Sequence, residues 1–136
     1  MNFVLDASVA LSWCFEDEGG EYALRVLDAL RSSEAVVASL WPLEIANGLA
    51  VAERRGRLDS AAAARFTELV LALPIAVEPS SRASGLRFAH RMARARSLSA
   101  YDAAYLDLAL RHGIPLATLD ARLREAAEAE GVRLFA

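Results

Sequence analysis

Asp6, Glu44, Asp102 and Asp120 are the residues whose type and spacing suit chemistry. Asp6 closes the apolar run 2–5 and precedes a helical pattern, so it also suits an N-cap. Asp120 repeats that arrangement between the apolar run 115–118 and the helical stretch 121–130. Glu44 falls in the first turn after Pro42, where the helix dipole favours a carboxylate by roughly 0.3–1 kcal/mol. Asp102 follows Ser99 at the spacing of a capping box. It also shares a helix face with Tyr105, Leu106 and Ala109, which directs it toward apolar surroundings where an unpartnered acid is costly. Four converging carboxylates would repel one another and raise their pKa values unless a cation shared the site. Oxygen ligands without a histidine or cysteine cluster favour Mg2+ or Mn2+ over zinc. His90 and His112 stand apart, as packed or solvated residues. Ser8, Asn47 and Thr118 lie close to the acids in sequence and suit a supporting shell that orients ligands, or ordinary turn and helix positions. Asp107, five residues after Asp102, points away from it and stays outside the site.

The elements that would position these acids are legible from periodicity. Short apolar runs at 2–5, 35–38, 75–77, 115–118 and 132–135 read as strands. Between them, Ala23, Val26, Leu27 and Leu30 recur at helical spacing, as do Ala62, Phe66, Leu69, Val70 and Leu73, and then Leu86, Ala89, His90 and Ala93. Pro42 suits a first helical turn, Asp59 and Ser99 suit N-caps, and Gly56, Gly113 and Gly131 suit helix exits. The acidic 16–21 stretch around Gly19 and Gly20 reads as a solvated loop. Alternating strands and helices predict one three-layer α/β/α domain over 1–136, with a mostly parallel sheet of about five short strands. Strand ends and helix starts of such a sheet gather along one edge, where ligands bind.

Composition narrows the functions available. The chain has 136 residues, 55% of them apolar, which suffices for one core. All 15 basic residues are arginine. Without lysine, a phosphate-binding loop fails, as does the lysine that phospho-receiver proteins commonly use; the dinucleotide-binding glycine fingerprint is missing too. A net charge of −3 makes any nucleic-acid contact local. Arg87, Arg91 and Arg94, flanked by Arg82 and Arg96, form either a phosphate-backbone track or a solvated helix face. Arg54, Arg55 and Arg57 carry the same two readings. A lone Cys14, the lack of a leader and the short apolar run 69–77 broken by Pro74 suit a cytoplasmic protein without a membrane span.

Taken in order, Val4-Leu5-Asp6-Ala7-Ser8, Pro42-Leu43-Glu44-Ile45-Ala46-Asn47, Ser99-Ala100-Tyr101-Asp102-Ala103-Ala104-Tyr105-Leu106 and Ala117-Thr118-Leu119-Asp120 resemble a PIN domain of the VapC toxin type. The likeness covers essentially the whole chain, and all four acids match the family's metal-binding acids. It implies a Mg2+- or Mn2+-dependent endoribonuclease of a type II toxin-antitoxin system, paired with an antitoxin and usually a homodimer. Asp6 and Asp102 are expected as central ligands, with Glu44 and Asp120 completing the site. Two competing readings remain: a catalytically idle PIN-like module that binds RNA or protein, and a metal-dependent nuclease acting on flapped DNA.

Overall fold

A computed structural model describes residues 2–136. The elements run β1 (Phe3–Leu5), α1 (Ala7–Ser12), α2 (Gly20–Ala29), β2 (Ala35–Val37), α3 (Trp41–Arg54), α4 (Ser60–Leu71), β3 (Ile75–Val77), α5 (Arg82–Arg96), α6 (Ala100–His112), β4 (Leu116–Ala117) and α7 (Ala121–Ala129). The strands form one sheet in the order β3-β2-β1-β4, and every pairing is parallel. Phe3, Val4 and Leu5 are all buried. A parallel strand covered on both faces reads as a continuous apolar run rather than an alternating one.

Helix termini follow local chemistry. Asp59 accepts a hydrogen bond from Ala62 N (2.7 Å), and Ser99 Oγ accepts one from Asp102 N (3.0 Å). Pro42 lies in the first turn of α3. Gly113 ends α6 in the left-handed region at φ 63°. α6 is the central helix: it packs on β1, β2 and β4, and also on α5 and α7.

Three expectations need correction. The fifth strand at 132–135 reduces to a single bridge, Leu116 to Leu134. There the chain uses its apolar residues for packing, with the Phe135 ring 4.9 Å from Phe3 and 6.4 Å from Tyr22. The acidic 16–21 stretch is only partly loop, because α2 already begins at Gly20. Arg57 ties the remainder down, pairing with Asp17 (3.0 Å) and Glu18 (3.3 Å) while lying over the Phe15 ring. Gly19 is required there: its φ is +76°, and a Cβ would meet Ser12 Oγ at 2.4 Å and Ala23 Cβ at 2.6 Å. On α5 the inward stripe is rotated from its expected position. Leu86 and His90 are exposed and Met92 is buried, because only the side facing α6 is covered.

Candidate active site

Four segments bring the acids to the carboxyl edge of the sheet. Asp6 follows β1, Glu44 lies in the first turn of α3 after β2, and Asp120 follows β4. Asp102 lies in the first turn of α6. Asp6 is 3% exposed. It occupies an N-cap position, yet its carboxylate makes no capping bond. Ser8 Oγ and Thr118 Oγ1 instead both donate to Asp6 Oδ2, at 2.7 Å each. Thr118 is fully buried and accepts from Asp120 N (3.0 Å), while Ser8 Oγ accepts from Leu119 N (3.1 Å). Two hydroxyls thus link the end of β1 to the β4–α7 turn. Asp120 does cap its helix, with Oδ1 accepting from Leu123 N at 3.0 Å.

Glu44 accepts a hydrogen bond through Oε1 from the Tyr105 hydroxyl. The sequence placed Tyr105 only on an apolar stripe; the signal passed over was its polar tip, since a buried phenol usually finds a partner. Asn47 is exposed, and its side chain makes no hydrogen bond among the described residues. Asp107 is buried at 6% exposure but pairs with Arg111 (3.1 Å), as a structural acid outside the site.

Burial raises the pKa of Asp6, and the Asp120 charge adds to that; the Ser8 and Thr118 hydroxyls oppose it. Burial also raises Glu44, reinforced by Asp6 and Asp102. Asp102 is pushed up to about 6 by burial, then by Asp6 and Asp120. The acids therefore feel one another, although they do not form a closed ligand shell. Among the described residues, no three His, Cys, Asp or Glu side chains are grouped tightly enough to hold a metal ion. Like charges share this edge, and the Asp6, Glu44 and Asp120 carboxylates turn to nearby donors rather than to the other acids. The donor set is entirely hard oxygen, the ligand chemistry that Mg2+ or Mn2+ takes, and a divalent cation would relieve the repulsion.

The raised pKa of Asp102 has a sign that melting can check. A carboxyl at about 6 when folded and 3.8 ordinarily is a stabilising term only below about 3.8, and that term is lost as pH rises through about 6. In chelator at pH 7 to 8, Asp102→Asn should raise the melting temperature by about 3–5 °C, corresponding to about 1 kcal/mol after discounting for partial exposure. Below pH 4 the difference should vanish. Equal melting at both pH values would remove the repulsion described here.

Arg87, Arg91 and Arg94 are exposed on α5, and no carboxylate pairs with them among the described residues. Arg91 lies over the Phe88 ring at 5.5 Å. Arg96 differs, being paired with Glu130 at 2.6 Å. Ser8 and Asp120 also line a cleft of about 340 Å³ that reaches Gly48, Arg55 and Arg57. Arg57 is committed to its acidic partners there, and Arg55 is exposed.

Residues 3–129 match the PIN domain family. The chain is 33% identical over 125 residues to "Ribonuclease VapC3" of Pyrobaculum aerophilum, covering 92% of this chain and 94% of that protein. It superimposes on the crystal structure of PAE2754 from the same organism with a TM-score of 0.72 at 26% identity, covering 93% of this chain and 79% of that one. VapBC2 from Rickettsia felis, solved bound to a DNA fragment from their promoter, gives a TM-score of 0.68 at 10% identity, covering 99% and 98%. No helix among the described residues is long and apolar enough to cross a membrane.

Proposed function

This chain belongs to the PIN-domain family, and from that premise we propose that it is a Mg2+- or Mn2+-dependent endoribonuclease, the toxin of a toxin-antitoxin pair. The reaction is hydrolysis of RNA phosphodiester bonds at Asp6, Glu44, Asp102 and Asp120. The observation that supports this reading is the gathering of Asp6, Glu44, Asp102 and Asp120 at the helix starts along one sheet edge, where burial first and neighbouring acids second raise Asp6, Glu44 and Asp102. The 33% identical relative is named a ribonuclease, which supports the same activity in this chain.

Asp6 and Asp102 would hold the cation as its central ligands, with Glu44 and Asp120 completing the set. When bound, the cation supplies Lewis-acid stabilisation of the phosphate and lowers the pKa of attacking water. The protein's own part is positioning. Ser8 and Thr118 hold the Asp6 carboxylate in one orientation, and Thr118 simultaneously fixes the backbone of Asp120. Tyr105 fixes Glu44 across the gap between α6 and α3. Arg87, Arg91 and Arg94 provide a cationic approach for the phosphate backbone. The partners proposed are an antitoxin protein and a second copy of this chain; sizing the protein alone and with a co-expressed candidate antitoxin checks both.

Incubating a mixed RNA pool with purified protein in magnesium, manganese or chelator tests the reaction. Cutting is expected with either metal and none with chelator; flapped DNA should remain intact. Absence of cutting by well-folded, antitoxin-free protein would instead support a binding module without turnover.

A further inference from the structure

Resting on that ribonuclease reading, we infer that the exposed ring of Tyr101 stacks on an RNA base beside the scissile phosphate.

Three of the four acids are each immediately preceded by an exposed apolar side chain: Leu43 before Glu44, Tyr101 before Asp102 and Leu119 before Asp120, at 73%, 63% and 37% exposure. Only Asp6 departs from the pattern, since Leu5 belongs to the core. Exposed apolar groups that flank a charged site offer a surface a ligand can cover. Tyr101 is the only aromatic among the large exposed hydrophobics of the described residues. Its phenol makes no hydrogen bond there, so the ring has no evident structural duty.

Charge selects the occupant. The helix preceding α6 carries Arg82, Arg87, Arg91, Arg94 and Arg96 and no acid. Only three residues, Ser97, Leu98 and Ser99, connect it to α6, so its C-terminal turn with Arg94 adjoins the end bearing Tyr101. An aromatic face near the unpaired Arg94 suits a strand whose phosphates need cations and whose bases are free to stack. In duplex RNA the bases are already stacked and paired, and their faces are unavailable. The Ser99 cap holds the first turn of α6, which fixes the backbones of Tyr101 and Asp102 relative to one another.

The test compares Tyr101→Ala, Tyr101→Phe and Tyr101→Trp with the wild type on a fluorescent single-stranded RNA and on its duplex. Loss of one stacked base predicts a KM roughly 5- to 150-fold higher for Tyr101→Ala on the single strand, with kcat changed less. Phe and Trp should restore KM, and any duplex cleavage should be indifferent to all three. An unchanged KM in Tyr101→Ala overturns the proposal and leaves the ribonuclease reading standing, as does a Tyr101→Phe variant as impaired as Tyr101→Ala. If the wild type cuts no RNA, equilibrium binding of the labelled strand decides. Weaker binding by Tyr101→Ala keeps the stacking surface while the nuclease reading falls, and equal binding overturns it. A shift in oligomeric state without a change in RNA affinity assigns the ring to a protein contact and also overturns it.

Discussion

Asp6→Asn and Asp102→Asn should each lower metal-dependent RNA cleavage by about three orders of magnitude or more, the loss expected when several kcal/mol of charge stabilisation at the phosphate disappears. Both substitutions keep the side chain's size while removing its charge. Their structural consequences differ, which separates lost chemistry from lost fold. At Asp6 an amide must keep its single oxygen toward the Ser8 and Thr118 hydroxyls, and its NH2 group then replaces the remaining carboxylate oxygen. Some destabilisation is expected there. Asp102 is half-buried and repelled by Asp6 and Asp120, so its asparagine variant should melt higher in chelator and yet be inactive. A more stable, inactive protein is hard to attribute to misfolding. Activity within tenfold of wild type in either variant would eliminate the proposed roles of these acids.

Thr118→Val should reduce cleavage by roughly 10- to 100-fold, the range seen when a group orienting a metal ligand is removed. Valine is nearly the same shape as threonine, so the fully buried position stays filled. What is lost is a donor to Asp6 Oδ2 and an acceptor for Asp120 N. A buried carboxylate thereby loses one of its two hydroxyl partners, and a backbone N–H is left unsatisfied. Hydrogen bonds to charged groups contribute about 1.5–3 kcal/mol each, so stability should fall as well. Thr118→Ser, which keeps the hydroxyl, should recover most of the activity. Full activity in the valine variant would mean that Ser8 alone orients Asp6.

The strand-helix alternation, the four parallel strands and the helix caps at Asp59 and Ser99 were all legible in the chain, because each depends on local periodicity or on bonds spanning three residues. So was the placement of Asp6, Glu44 and Asp120, since β1, β2 and β4 each feed a helix whose start falls at the same sheet edge, whereas Asp102 lies on α6, which follows another helix. The rotated face of α5 was not legible: Leu86 and Met92 are equally apolar, and only the placement of α6 decides which is covered. The fifth strand failed for a related reason, its aromatic residue being taken up by Phe3 and Tyr22. Within the site, Ser8 and Thr118 were equivalent candidates to Asn47 on sequence proximity alone. The pairing of β1 with β4 brings residues 112 positions apart within 2.7 Å and selects the two hydroxyls, while Asn47 is turned to water. Tyr105 meets Glu44 across 61 residues, a contact no local pattern encodes. Residue type and period thus determined which groups are available and roughly where they sit. Tertiary packing decided which of them touch, because hydrogen bonds and repulsion between carboxylates act over a few ångströms of space, whatever the separation along the chain.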